Sequence, residues 1–434
     1  MKRIISIILI LSLTLFCVPA LAFEDEPAER SARTTLLDLT NQTTSTSNSA
    51  EGWSFDPHGY NNKPQLTLNS YGTASQHSAP IILPKDSRVL VNGNCYIDNV
   101  YMNEKHSVLS GSMDGYLIVE GTGVLNLYAT SYNGRCIDIP GGANNAREQL
   151  YINDITVNCF AREPDMYTAA SNEACIYSTN SIYITNAVIN TRGGGCGIRS
   201  FGYTPIGGVT EETASEIVIS DSNVDIRINA SDNVWNYAQG IRTTFGKIRI
   251  TGNSSVNINA GSCSIYSYLS FTIEGGNVNI LSTPLSNGVS IYAIVYCGSM
   301  RLMNGMGSVF FGATRGVNSD IVWSLDRSES FCGSGVTFDL GSYTDDHFQS
   351  EPDPDNNGLP AIKAHGNGQT WSGIMGDVDN DGSVTVMDAL MTLRYAMSLI
   401  GSLPALQAAD VNYSGAVDVQ DALKILRIAM GLMN

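Results

Sequence analysis

Two stretches near the end of the chain carry side chains whose types and spacing suit metal chemistry. Asp377, Asp379, Asp381, Thr385 and Asp388 occupy positions 1, 3, 5, 9 and 12 of a loop with Gly382 at position 6. Asp410, Asn412, Ser414, Asp418 and Asp421 repeat that spacing around Gly415. A hard cation such as calcium takes about six to eight oxygens, with position 7 lending its backbone carbonyl and position 9 often acting through water. Ser383 and Ala416 stand at position 7 of the two loops. The pattern therefore predicts two Ca²⁺ sites, the second weaker because Asn412 and Ser414 replace carboxylates.

Each loop runs into an amphipathic segment, Ala389-Leu390 to Ala396-Met397 and Ala422-Leu423 to Ala429-Met430. Helix breakers precede both loops: Gly366, Gly368 and Gly373 before the first, Pro404 before the second. The unit is thus loop-then-helix, twice, with Asp rather than Glu at position 12, unlike an ordinary EF-hand. It closely resembles a type I dockerin, the module by which cellulosomal proteins plug into the cohesins of a scaffolding protein, over about residues 374–434. The resemblance implies that the loop residues above ligate calcium. It also implies that positions 10 and 11 and the following helix face meet the cohesin. Here those are Val386, Met387, Val419 and Gln420, with Arg394 and Arg427 on the helices. Many members carry Ser-Thr at positions 10 and 11; this chain does not, and packing within the module is the alternative role for these apolar residues. The near-symmetry of the halves suggests that a cohesin binds in two orientations.

At the other end, Lys2 and Arg3 precede an apolar run from Ile4 to Val18, and Ala20-Leu-Ala22 offers small residues for cleavage. This reads as a secretory signal over residues 1–22, leaving an extracellular chain with no membrane segment. A net charge of −17 argues against a nucleic-acid partner. Cys95, Cys136, Cys159, Cys175, Cys196, Cys263, Cys297 and Cys332 lack CxxC spacing and His partners, which argues against zinc and leaves disulfides and free thiols both open.

Between about residues 60 and 340, within an expected β-helix domain of 51–341, the chain is poor in charge and rich in Ile, Val, Asn, Ser, Thr and Gly. A strand of the form small-Ile-x-small recurs around Ile137, Ile176, Ile198, Ile241, Ile265 and Ile291. Two further strands follow most copies, as in Ile182-Tyr-Ile184 then Val188-Ile189. One inward isoleucine per strand cannot close a core in a single coil, so coils must stack. The expected fold class is all-β, a parallel β-helix solenoid, followed by a small all-α calcium-binding module; a sandwich or propeller is the alternative. Residues 23–50 read as a Ser/Thr-rich leader and 342–373 as a linker.

Neighbours of an inward residue point outward. The residues after the repeated Ile include Tyr177, Arg199, Arg242, Tyr266 and Tyr292, and two positions on stand Phe201 and Tyr268. Stacked on one face, they would suit a polysaccharide chain, or simply form a ladder that steadies the sheet. The solenoid resembles secreted carbohydrate-binding or carbohydrate-active right-handed β-helices. That implies plant cell-wall polysaccharide as partner, bound without turnover or cleaved by a polysaccharide lyase or glycosyl hydrolase. No His occurs between His106 and His347, which excludes an imidazole base there. A lyase would need Arg199 or Arg242 with acids such as Asp138, Glu211, Glu212 or Glu216; no catalytic residue is otherwise assigned.

Overall fold

The computed structural model describes residues 36–432, except 100–106, 113–114, 131–133, 142–148, 162–173, 194, 203–209, 211–213, 229–237, 262, 283–293, 315–320, 326–328, 355–356, 367–375, 380–382, 398, 401–402, 404–407, 410 and 412–416. The expected signal over 1–22 lies outside the described residues.

Residues 81–332 form a parallel β-solenoid. Among the described residues its strands, with flanking ones from both sides of the sequence, pair into a 20-stranded and an 11-stranded sheet, and the solenoid strands line up as three faces. The first face holds the repeated strands, Ile137–Ile139, Ile176–Ser178, Cys196–Ser200 and Gln239–Thr243 among them. The second is built from strands such as Gln149–Asn153, Ile182–Thr185, Ser215–Ser220 and Gly246–Thr251. The third runs from Asn94–Asp98 through Val124–Ala129 and Thr156–Ala161 to Ser308–Ala313. In two coils the first two faces are traversed by one long strand, Ile265–Ile273 and Val295–Leu302, with a register shift between Ser267 and Ser270.

The isoleucine repeat works as its spacing demands. Ile137, Ile176, Ile198, Ile241 and Ile265 pair in that order and are all fully buried. Burying such a side chain contributes about 1.5–3 kcal/mol, and each coil lays its residue on the one below. The sixth copy differs from expectation. Val295, not Ile291, pairs with Ile265, and Tyr296 pairs with Tyr266. Ile291 and Tyr292 lie outside the described residues. The local pattern is degenerate, because Ser290-Ile291-Tyr292 and Ile294-Val295-Tyr296 both alternate acceptably and only pairing with the previous coil chooses between them.

Turns between the second and third faces need a left-handed residue, and Asp154, Asn186 and Asp221 supply it with φ of 53°, 49° and 49°. Asn186 Nδ2 donates to Asp154 Oδ1 at 2.6 Å, tying one coil to the next. The following turn uses Gly252 at φ 62°, where a Cβ would stand 2.3 Å from Asp221 Oδ1. Conformation and space both require glycine there. On the outside of the third face, Asn190 Nδ2 donates to Asn158 Oδ1 and Asn158 Nδ2 to Asn126 Oδ1, each at 2.8 Å.

Strands from the segments read as leader and linker pair onto the two ends of the solenoid. Of the leader, Leu37–Asp38 pairs with Ile81–Ile82, Leu39 is buried, and Thr46–Asn48 pairs with the strand Trp53–Tyr60. Of the linker, Leu359–His365 pairs antiparallel with Ser308–Ala313 and with Thr337–Leu340, while Phe348, Ile362 and Ala364 join the core. An open parallel stack exposes apolar surface and unpaired edges at its ends, and these strands close them, Leu37–Asp38 in parallel and Leu359–His365 in antiparallel pairing. Those strands bury one side only, so their polar composition resembles that of a loop.

Two helices follow, Val386–Ala396 and Val419–Ala429. They pack around a separate small core of Val378, Ala389, Leu403, Ala408, Ala409, Val411 and Ile425. No described helix is long and apolar enough to cross a membrane.

Candidate calcium loops and ligand face

The first helix begins at Thr385, whose hydroxyl accepts from the Met387 N–H at 3.1 Å. Asp388, three residues in, turns back and completes a capping box. Its Oδ2 accepts from the Thr385 N–H and hydroxyl, both at 2.8 Å. Its Oδ1 accepts from the N–H groups of Val378 and Asp379, at 2.8 and 3.2 Å. One buried carboxylate thus uses about four acceptor positions to pin both ends of the loop. Burial alone would push the Asp388 carboxyl up. The hydrogen bonds from Thr385, Asp379 and Val378 together outweigh that and hold it below its ordinary value.

Asp377, Asp379 and Asp388 bring carboxylate oxygens within 4.8 Å of one another, with Asp377 and Asp388 fully buried. Like charges gathered out of water are unfavourable unless a cation joins them. The set is all oxygen, which fits a hard divalent ion such as calcium. Thr385 sits at the loop's edge and Ser383 is exposed; Asp381 lies outside the described residues. In the second loop, Asp418 caps the second helix and accepts from the Gln420 N–H at 2.6 Å. The Asp418 N–H donates to Asp421 Oδ2 at 3.0 Å, and Asp421 is fully buried. Asp410, Asn412, Ser414 and Ala416 lie outside the described residues.

The candidate cohesin-facing residues Val386, Met387, Val419, Gln420, Arg394 and Arg427 are all exposed, so packing within the module is not what occupies them. Leu390 with Leu423, and Met397 with Met430, extend the same exposed stripe on the two helices at 46, 44, 57 and 51 %. Sequence reasoning did not single these out. Their signal was available, since they continue the helical spacing from Val386 and Val419.

On the solenoid, pairing places Asp138, Tyr177, Arg199, Arg242, Tyr266, Tyr296 and Trp323 in one outward row on the first face. Tyr296 takes the place expected for Tyr292, and Trp323 extends the row. The row is a ladder. Tyr266 and Tyr296 stack at 5.3 Å and 13°. The Arg135 guanidinium lies 3.6 Å from the centre of the Tyr177 ring, and that of Arg242 lies 5.0 Å from the Tyr266 ring. Rings stacked along the coil axis spend their faces on each other and turn their edges, with the hydroxyls, outward. Arg199 is 4 % exposed. Burial and the neighbouring Arg242 charge lower its pKa.

Phe201 and Tyr268 stand beside this row at the corner toward the second face. Phe245 lies between them at 5.6 and 5.7 Å, in edge-on geometry. Tyr268 is 45 % exposed, an open ring next to the Arg242–Tyr266 pair. Two of the acids suggested for a lyase, Asp138 and Glu216, have other partners. Asp138 Oδ1 accepts from Arg135 Nη1 at 2.7 Å and its Oδ2 accepts from the Ser107 hydroxyl at 2.9 Å. Glu216 lies on the second face, 3.9 Å from Lys247. Glu211 and Glu212 lie outside the described residues. All eight cysteines from Cys95 to Cys332 are free thiols.

Compared with known families, residues 375–427 match the dockerin type I domain. No curated protein and no solved structure matches the chain. Type I dockerins bind calcium and take cohesins as partners, and a dockerin implies a cellulosome component, usually extracellular. The chain is accordingly a β-solenoid that carries a type I dockerin domain at its C-terminal end.

Proposed function

We propose that this protein is a secreted cellulosome component that binds plant polysaccharide along the first face of its solenoid while its dockerin docks on a scaffold cohesin. The single observation supporting the first half is the unbroken outward row from Tyr177 to Trp323, flanked by the exposed ring of Tyr268. Because the ladder rings are stacked, phenol hydroxyls and guanidinium edges do the binding, and Tyr268 offers an exposed apolar platform. For the second half, Asp377, Asp379, Asp381, Thr385, Asp388 and the Ser383 carbonyl hold one Ca²⁺. Asp410, Asn412, Ser414, Asp418, Asp421 and the Ala416 carbonyl hold the other. The matched exposed stripes headed by Val386-Met387 and Val419-Gln420 meet the cohesin, in either of two orientations.

Turnover is a second reading, with Arg199, buried on this face, as the residue that would serve a lyase as base. Incubation with cellulose, xylan and pectin separates these readings. Retention without soluble product supports binding, and the Tyr268→Ala variant is expected to be retained about fivefold less. New reducing or unsaturated sugar ends, lost in Arg199→Ala, would replace binding with catalysis. Retention on none of the three polymers would remove the solenoid half of the proposal.

A further inference from the structure

We propose that Cys136 and Cys175 form a site of thiol–disulfide exchange, at which a low-molecular-weight disulfide closes a bridge between two successive coils of the solenoid. Ile137 pairs with Ile176, so the residues just before them stand on adjacent rungs of the first face. The Cys136 N–H donates to the Cys175 carbonyl at 3.0 Å, which holds the two backbones at strand spacing. That spacing, about 4.8 Å, lies inside the Cα separation of about 4.4–6.8 Å that a disulfide spans. The side chains also meet, because the Cys136 and Cys175 thiols are hydrogen-bonded to each other. Both residues are fully buried.

The register singles out this pair among the eight thiols. Cys196 is on the next rung, where its carbonyl accepts from the Cys175 N–H at 2.9 Å. Yet Ile176 pairs with Ile198, and Cys196 stands two residues before that isoleucine rather than one. Strand alternation turns its side chain the other way, and its thiol donates to the carbonyls of Ile198 and Gly240 at 3.3 and 3.8 Å. Cys263 has the same offset from Ile265, and its thiol donates to the Ile265 carbonyl at 2.7 Å. Cys159 reaches Cys136 from the third face, but its own strand pairs it with Leu127 and Thr191. What a bridge would displace is slight. The Cys136 thiol meets the carbonyls of Leu127 and Phe160 at 3.5 and 3.3 Å, and that of Cys175 meets Arg192 and Gly193 at 3.7 and 3.6 Å. Thiols are weak donors.

The step balances as an exchange. One cysteine thiolate attacks a sulfur of the small disulfide RSSR and expels RS⁻. The second thiolate attacks the protein sulfur of that mixed disulfide and expels the other RS⁻. The protein loses two electrons and two protons, and RSSR leaves as two RSH. Burial pushes the Cys136 thiol well above its ordinary value; at Cys175 the hydrogen bond with Cys136 comes first and burial adds to it. Thiolate therefore forms when this corner opens, so exchange is slow and tied to local unfolding. Once made, the bridge locks the two rungs on which Arg135 lies over the Tyr177 ring and Asp138 pairs with Tyr177.

The test incubates the reduced full chain, in calcium, with oxidised glutathione, then quenches in acid, alkylates under denaturant and maps peptides by mass spectrometry. Two of the eight thiols from Cys95 to Cys332 should escape alkylation, with the Cys136 and Cys175 peptides joined. Urea below the unfolding transition should speed the reaction about fivefold or more. The bridged solenoid should melt about 5 °C or more higher. Cys175→Ala should form no bridge, and Cys196→Ala should form it as the parent does. Eight alkylated thiols, in urea as in buffer, would overturn the proposal. So would a Cys136–Cys159 bridge, or glutathione adducts with no internal bond.

Discussion

The solenoid and the dockerin are both built from repeats, but their repeats constrain different things. In the solenoid the repeat dictates the inward residue and the turn. Ile137, Ile176, Ile198, Ile241 and Ile265 stack without a gap while the residue after each changes from Asp to Tyr to Arg. In the dockerin the repeat dictates the polar residues. Thr385 with Asp388 and Asp418 with Asp421 make the same capping box twice, because a cation and a helix start both need oxygens at fixed places. A core repeat tolerates any outward side chain, so it fixes shape and leaves function free. A ligand repeat fixes function directly.

This difference can be broken most sharply at Asp388. Asp388→Ala leaves the N–H groups of Val378, Asp379 and Thr385 without their acceptor in a buried loop. The expected loss is about 3 kcal/mol or more, comparable to the whole stability of so small a core. Cohesin capture should vanish while the solenoid's unfolding transition stays where it was. If capture survives, the loop is not held as described. Next in size, Ile198→Ala removes a fully buried side chain from the middle of the stack and should cost about 2–5 kcal/mol. Denaturant unfolding of the solenoid should show that loss, with cohesin capture unchanged; a shift shared by both modules would contradict their separate cores.

The smallest effect is expected from pH. The folded pKa of Asp388 lies below its ordinary value of 3.8, so its contribution is fully present above that value and is lost as pH falls through the folded pKa. Acid titration followed by helix circular dichroism should therefore show the dockerin helices losing stability only below about pH 4. In the variant Asp388→Asn that part of the acid dependence should disappear.

Much of this molecule was legible in the chain, and the misses share a cause. The dockerin could be read because a helix start and an oxygen-ligand loop both impose residue types at fixed spacing. Five of six inward isoleucines could be read because a strand alternates. The sixth could not, since Ile291 and Val295 satisfy the same local pattern and the choice is made by Ile265 in the preceding coil. The end strands were read as leader and linker because a cap buries one side only. Leu39, Phe348, Ile362 and Ala364 are buried residues that betray it. On the first face the row of outward residues was foreseen. The stacking that turns the tyrosine edges outward was not, because ring orientation depends on the neighbour one coil away.

The most direct test of the contrast is scanning calorimetry of the full chain in calcium and then in EDTA. A ligand at about one hundred times its Kd stabilises the state that binds it by about 2.7 kcal/mol. The account predicts that EDTA lowers or abolishes the dockerin transition and leaves the solenoid transition unmoved. Two transitions that shift together, or a dockerin transition indifferent to EDTA, would contradict it.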